Sequence, residues 1–474
     1  MSTAPIQRPL SSLTRVLPAR FIPSHFIKKA IGVAMLTLLS GVTQAEDLLQ
    51  SFNLAVDNDP TIRQTRANYN AQHTLLDQGR SLLLPSVNLS ARTSRDTQGT
   101  DGAAPAGGVN PFGSRVHSFA DGFNNKGYSL NLSQNLLNFQ AWYAFKSVQK
   151  GDEVASLNLA RAEQDLIIRV ATAYFDVLRS QTNLASFQAE EAASQQVLEQ
   201  TQQRFDVGLI PITDVYDSQA NADLAAVNRL VEENNLSQRF EALEAITGVT
   251  YTAVANLKEE FPITTSDTSL EEWTTMTMDS NLSLLAAAVD FEAKKDDARA
   301  ARSAMLPTLA LNMGYNWSQS GGISFFGPNL PNMGSQITLN FSLPLFAGGL
   351  NRARMRQAYY TRDASEEALL KTRRDSTQAI RNNFRSVETD VRAVAARAQA
   401  IVSAASSLEA NTVGAEVGTR NIVDVVLAQR TLYSTQRDHA NARFNYVMDT
   451  LKLKQTAGVL SPEDVIDLNE WLLK

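Results

Sequence analysis

The sequence predicts a membrane α/β protein in which amphipathic strands alternate with very long helices, laid out as two internal structural repeats. Three observations predict it. A nine-residue pattern, V-G-x-x-x-I-x-D-V, occupies residues 207–215 and recurs at 417–425, 210 positions later. Two runs, 140–205 and 350–413, contain no proline and a single glycine, Gly151. Four segments alternate apolar and polar residues with period two, the pattern of half-buried strands.

Residues 1–45 read as a secretory leader. Arg8, Arg15, Arg20, Lys28 and Lys29 form a long basic n-region, residues 31–39 are apolar, and Thr43-Gln44-Ala45 offers small residues for cleavage after Ala45. The apolar run falls short of the roughly 18 residues that would span a bilayer. Losing five basic residues takes the formal charge from −6 to −11. An acidic exported chain is a poor partner for nucleic acid. Cysteine is absent, so stability comes from packing, and no lipid can be attached through an N-terminal cysteine.

The mature chain carries an internal duplication. Leu84-Pro85-Ser86-Val87-Asn88-Leu89 matches Leu306-Pro307-Thr308-Leu309-Ala310-Leu311 at an offset of 222. Leu130-Asn131-Leu132-Ser133 matches Leu339-Asn340-Phe341-Ser342 at 209, and Gly248 matches Gly458 at 210. The offset changes only between the strand-like segments, so the first half holds about a dozen extra residues in an exposed loop. The repeats are read as residues 46–259 and 260–474.

Each repeat has the same order. A short helix (48–57 or 270–279) precedes a second (60–81 or 282–303), which Pro85 or Pro307 brings to an end. A strand follows, with Val87, Leu89 and Ala91 on one face, and with Leu309, Leu311, Met313, Tyr315 and Trp317 in the partner. A loop rich in Gly, Asn and Pro (99–125 or 318–334) leads to a second strand. There Tyr128, Leu130 and Leu132, or Ile337, Leu339, Phe341 and Leu343, form the apolar face. The long helical run then extends about 100 Å at 1.5 Å per residue, beyond any single globular core. Its apolar residues recur at 3,4 spacing, as Leu166, Val170, Ala173 and Val177, or Ile380, Val387 and Val394. This is a coiled-coil-like seam, interrupted by Ser180 and Asp390. Each repeated pattern makes a hairpin tip: Gly208 or Gly418 turns the chain with positive φ, and in the first copy Thr213 or Asp214 is expected to cap the returning helix. That helix (214–246 or 422–456) and the helix at 60–81 or 282–303 together match the long one in length, so they can stack end to end beside it.

Four strands cannot close a barrel, and unpaired strand edges in lipid cost several kcal/mol per group. The strands nevertheless look like outer-membrane strands, with one apolar and one polar face and aromatic residues near their ends: Phe123, Tyr128, Phe139, Trp142, Tyr143, Phe325, Phe326 and Phe346. Three chains would supply twelve strands around a water-filled lumen. The expected architecture is therefore a homotrimeric 12-stranded transmembrane β-barrel, four strands per chain, against a soluble β-sandwich that carries a helical domain. The rival reading is a periplasmic coiled-coil structural or adaptor protein.

On the Leu-Pro starts of the strands, on Phe341-Ser342-Leu343-Pro344-Leu345-Phe346-Ala347-Gly348-Gly349 and on both tips, the mature chain resembles the TolC family of outer-membrane efflux and secretion ducts. The resemblance implies a homotrimer set in outer-membrane lipid, its β-barrel continued by a long α-helical coiled-coil barrel that forms a tunnel through the periplasm. It implies a belt near 261–273 and 463–473. It also implies two kinds of partner, a periplasmic adaptor (membrane fusion) protein and an inner-membrane transporter, proton-driven or ABC. The family's gate residues carry over to Thr213, Asp214 and Arg420, and its constriction ring to Asp424, three copies of which would favour and be blocked by cations. The docking tips carry over to Val207, Gly208, Leu209, Val417, Gly418 and Thr419. Two positions depart from the pattern: Ala415 replaces a gate tyrosine and Leu427 a second ring aspartate, with Glu416 as a candidate substitute.

Nothing in the sequence points to an enzyme or a cofactor. His25, His73, His117 and His439 have no metal-ligand spacing, and no phosphate-binding loop or nucleophile elbow occurs.

Overall fold

The structure, a computed structural model, describes residues 47–96, 123–321, 323–324, 327–328 and 330–473. The leader, residues 97–122 of the first loop, and the side chains of Phe123, Phe325 and Phe326 lie outside the described residues.

The first half runs α1 (Leu48–Asn58), α2 (Pro60–Ser81), β1 (Ser86–Asp96), β2 (Phe123–Leu137), α3 (Phe139–Asp206) and α4 (Ile212–Thr247). The second runs α5 (Leu270–Ser280), α6 (Leu282–Ser303), β3 (Thr308–Ser320), the two-residue strands β4 (Ile323–Ser324) and β5 (Gly327–Pro328), β6 (Asn332–Ser342), α7 (Leu350–Glu416) and α8 (Ile422–Ala457). A last helix, α9 (Pro462–Asn469), closes the described chain. The starts of α2 and α6 are fixed locally. Asp59 accepts from the backbone N–H groups of Thr61 and Ile62 ahead of Pro60, and Asn281 accepts from that of Leu284. α9 lies outside the helices expected from the sequence, although Ser461 and Asp464 form a capping box around Pro462.

β1, β2, β3 and β6 make one antiparallel sheet in that order. Its register sorts the two faces. Val87 stands opposite Leu132, Leu89 opposite Leu130, Leu130 opposite Tyr315, and Met313 opposite Ile337. On the other face, Ser90 bonds Ser129 at 2.8 Å, and the Ser133 hydroxyl donates to Asn312 at 2.9 Å. Apolar side chains of β1 and β6 such as Leu89, Ile337 and Phe341 are exposed, with nothing among the described residues packed over them. Tyr128 stacks on Trp317 with ring centroids 5.3 Å apart. At the other end of the sheet, Phe139, Trp142 and Phe346 are exposed. A bulge between Asn135 and Leu137 brings Leu137 opposite Leu309. The edges β1 and β6 have no strand beside them among the described residues. No described helix is long and apolar enough to cross a membrane.

The helices form a second layer with the same open order. α2 and α4 pack on α3, α6 bridges α3 and α7, and α8 packs on both α3 and α7. The shorter helices therefore stack end to end beside the long ones, as their lengths require. Their junctions are pinned: Asn58 Nδ2 donates to the Thr247 carbonyl (2.8 Å), and Asn281 Nδ2 to that of Thr456 (2.7 Å).

The main core lies at this level. Phe175 meets Phe444, Phe261 lies edge-on to Tyr446 and Trp471, and Tyr174, Leu178 and Leu243 are fully buried. The Tyr174 hydroxyl donates to the Ala255 carbonyl, and that of Tyr446 to Thr264. The segment carrying those carbonyls is tied to the C-terminal residues, with Lys258 N–H donating to Trp471 O at 2.9 Å and Leu473 N–H to Asn256 O at 2.7 Å. Aromatic side chains of α3 and α8, with Phe261 and Trp471 from the segments on either side, thus hold the belt.

The polar residues in the long seams have different fates. The Ser180 hydroxyl donates to Glu232 Oε1 at 2.6 Å between α3 and α4. Asp390, at the matching place between α7 and α8, faces another acid, Asp449. Burial, with that neighbour, pushes the Asp390 carboxyl up to about 6, against the pull of Lys452 and Arg397.

Two outcomes follow. Gly458 has φ of +79°, and a β-carbon there would lie 2.1 Å from the Ser280 carbonyl oxygen, whereas one on Gly208 would meet nothing within 4 Å. Gly458→Ala is expected to cost more than about 3 kcal/mol and Gly208→Ala about 1–2 kcal/mol. Thermal unfolding followed by circular dichroism separates them, and equal losses would reduce Gly458 to a simple turn residue. For Asp390, the folded chain keeps a proton that the unfolded chain releases between about pH 4 and pH 6, so stability falls as pH rises through that window. Asp390→Asn should flatten this dependence and raise the melting temperature at pH 7.5.

Candidate functional site at the hairpin tips

The two tips are built alike. α3 ends at Asp206, Gly208 turns at φ +77°, and the N–H of Leu209 reaches back to the Arg204 carbonyl at 2.9 Å. α7 ends at Glu416, Gly418 turns at φ +79°, and the N–H of Thr419 reaches the Gly414 carbonyl at 2.8 Å. Both are glycine-terminated C-caps in which the chain folds back to satisfy carbonyls the helix leaves open. The turn pushes its apolar residues outward: Val207, Leu209 and Val417 are 70%, 71% and 69% exposed. Neither Gly208 nor Gly418 has a neighbour within 4 Å of where a β-carbon would stand, so both tips are open on that side.

The returning helices start differently. Asn421 caps α8, accepting from the Asp424 N–H at 2.9 Å. In the first copy neither Thr213 nor Asp214 caps: the N-cap residue is Pro211, which has no side-chain acceptor, and both candidates sit inside the first turn. The expected cap is thus corrected, because the proline sets the helix start two residues earlier. Thr213 is free to donate to the adjacent Asp214 carboxylate at 3.3 Å.

Arg420 lies 3.7 Å from the Asp424 carboxylate of its own chain, one turn on, with both side chains substantially exposed. No described contact joins Arg420 to Thr213 or Asp214 within one chain. Gly414 makes room for it: a β-carbon there would stand 2.7 Å from Arg420 Cγ, and the Gly414 carbonyl accepts from both Thr419 and Arg420 N–H groups. The described in-chain link between the tip ends is one the sequence reading missed. The Arg204 guanidinium reaches the Ala415 carbonyl at 3.4–3.5 Å. A basic residue in the last turn of a helix was a signal, but its acceptor is a backbone group on another helix. Leu427, the second departure, is more than half exposed and joins Leu224, Val423 and Val426 along a cleft of about 300 Å³ between α4 and α8. Among the described residues no acidic or histidine cluster could hold a metal ion.

Three comparisons bear on this arrangement. The family described as "Outer membrane efflux protein" matches residues 52–249 and 273–459. "Outer membrane protein TolC" of Vibrio cholerae is 34% identical over 94% of this chain and 97% of its own length. "Proteases secretion protein PrtF" of Dickeya chrysanthemi is 24% identical over 94% of this chain and 95% of its own. Among solved structures, the fold is similar to that of CusC, described in connection with transmembrane channel formation, at a TM-score of 0.75 and 13% identity. That likeness covers 89% of this chain and 95% of the other. The chain belongs to the outer membrane efflux protein family and is of the TolC type within it.

Proposed function

We propose that the protein is the outer-membrane duct of tripartite efflux and type I secretion machinery, working as a homotrimer. One observation carries this reading. The sheet has an exposed apolar face, a small polar face of Ser, Asn, Thr and Gly, and two edges unpaired among the described residues. Lipid requires every edge to be paired. Eight strands from two copies would make a barrel filled by its own side chains, whereas twelve from three copies leave a lumen that the small polar residues would line. The helical layer ends in matching free elements, α2 and α4 on one side and α7 on the other, so a ring that pairs β6 with the next β1 also sets α7 beside the next α2 and α4. The two halves, 46–259 and 260–474, act as copies of one unit. The leader is removed after Ala45.

In this ring six tips surround the periplasmic opening. Arg420 bridges to Thr213 and Asp214 of a neighbour when the duct is shut, with Asp424 forming a single acidic ring. The Arg204 link to Ala415 holds the two hairpins of one chain together in place of the missing tyrosine. The exposed apolar turns at Val207-Gly208-Leu209 and Val417-Gly418-Thr419 dock on a helical hairpin of a periplasmic adaptor. Energy comes from an inner-membrane transporter. The soluble adaptor alternative is not favoured, because an adaptor needs no exposed amphipathic sheet.

Gly208→Trp or Gly418→Trp should abolish export of a substrate drug while leaving the trimer intact in outer-membrane extracts. Retained export would remove the tips from the docking surface. Arg420→Ser should raise single-channel conductance in planar bilayers. Unchanged conductance with unchanged antibiotic sensitivity would mean that Arg420 holds nothing shut.

A further inference from the structure

α3 has two packing faces, and they differ in what they meet. One meets α4 of its own half, through Ser180 with Glu232 and Asp176 with Arg239. The other meets α8 of the second half. There Gln164 Nε2 donates to the carbonyls of Gly458 (3.3 Å) and Leu460 (2.9 Å), and Gln455 donates to Asp165 (2.7 Å). Further along, Phe175 lies 6.0 Å from Phe444, and Arg437 pairs with Glu190 at 2.7 Å. Leu451, one turn from Gln455 and two from Phe444, lies on the same stripe of α8.

α7 is the counterpart of α3, position for position at an offset of 210, as the matched helix ends and glycine turns show. Its inner face meets α8, with Asn383 donating to Thr456 at 2.8 Å. No element among the described residues lies against its other face. Where α3 carries Gln164, Ala171 and Phe175, α7 carries Arg374, Arg381 and Arg385. With Arg373 these line an open groove of about 700 Å³ formed by α7 alone. All four arginines are exposed, and none has an ion pair among the described residues. Such a row of unopposed guanidinium groups repels itself unless something acidic covers it.

The complementary face is on α4, the counterpart of α8. The positions matching Phe444 and Leu451 hold Asn234 and Glu241, and Glu241 is exposed and unpaired among the described residues. Lower down, the Arg437–Glu190 pair is replaced by Val227 on α4 and Ala400 on α7. Val227 and its neighbour Val231 are more than half exposed, and Ala400 is exposed as well.

We propose that α7 seats on α4 of a second copy in the register that α3 uses on α8. Arg381 and Arg385 then pair with Glu241 of the second copy, Arg374 donates to the carbonyls after its Gly248, and Val227 and Val231 pack on Ala396 and Ala400. The junction within a chain is aromatic at the belt and ionic toward the tips. The junction between copies reverses this, being ionic at the belt and apolar toward the tips. The equatorial belt is therefore sealed inside each chain by packing and between chains by charge, which makes the second seal sensitive to salt.

This rests on the trimer reading, and the test separates the two. In detergent extracts of outer membranes, the wild-type chain should run as a heat-resistant trimer. Arg381→Glu combined with Arg385→Glu should lose that trimer while circular dichroism shows helix content retained. Adding Glu241→Arg to the same chain should restore it. The seam is overturned if the double variant dissociates at the wild-type temperature, or if the triple variant is no better than the double. A wild-type chain that is itself monomeric overturns the trimer and the seam together.

Discussion

Backbone hydrogen bonding in lipid is the constraint on which the rest of this molecule depends. A strand set in hydrocarbon must give every N–H and C=O a partner. The four strands do so with one another but leave β1 and β6 open. Each strand runs into or out of a helix: β1 follows α2, and β6 leads into α7 through Gly348 and Gly349 at positive φ. The unpaired strand edges and the unpaired helix faces are therefore the same two sides of the chain. A contact that closes one layer brings the other into register.

The length of the helices raises a second problem. A helix of 68 residues has far more surface than one core can bury. The solution is to pair each long helix with two shorter ones and to place the densest packing where those meet. That is where the aromatic side chains collect and where the belt segments are hydrogen-bonded across the helices. Away from this level the seams rely on small residues and isolated polar contacts. The Asp390–Asp449 approach costs stability there, since burial and the neighbouring acid push the Asp390 carboxyl up to about 6. The tips are furthest from the core and are held mainly by their own glycine caps, so they are the cheapest part of the chain to move.

The duplication makes two copies of one shape, and the differences between the copies carry the chemistry. The first tip starts its helix at Pro211 with no side-chain cap, while the second is capped by Asn421 and places Arg420 beside Asp424. The matching faces of α3 and α7 are aromatic in one and arginine-rich in the other. Repeats that pack inside a chain can fuse their cores, but a face that must meet another molecule stays soluble until assembly. Charge serves that purpose better than exposed aromatic surface.

Much of this was legible from sequence because the signals are local. The helices at 60–81 and 282–303 agree with α2 and α6 to the residue, since proline, aspartate and asparagine fix a start and Leu-Pro fixes an end. The strand faces follow from period-two alternation, and the glycine turns from a helical run that stops twice at the same pattern. The cap at 213–214 was misplaced because Pro211 outranked two good capping residues. What the sequence by itself determined, then, was the elements, their amphipathic faces and their repetition, all set by backbone sterics and by the spacing of apolar side chains. Only the tertiary structure decided that Arg204 meets Ala415, that Asp390 faces Asp449, and that the arginines of α7 lie on a face that no described element covers. Those depend on which helices become neighbours, and residues 60 or 200 positions apart have no local rule that pairs them.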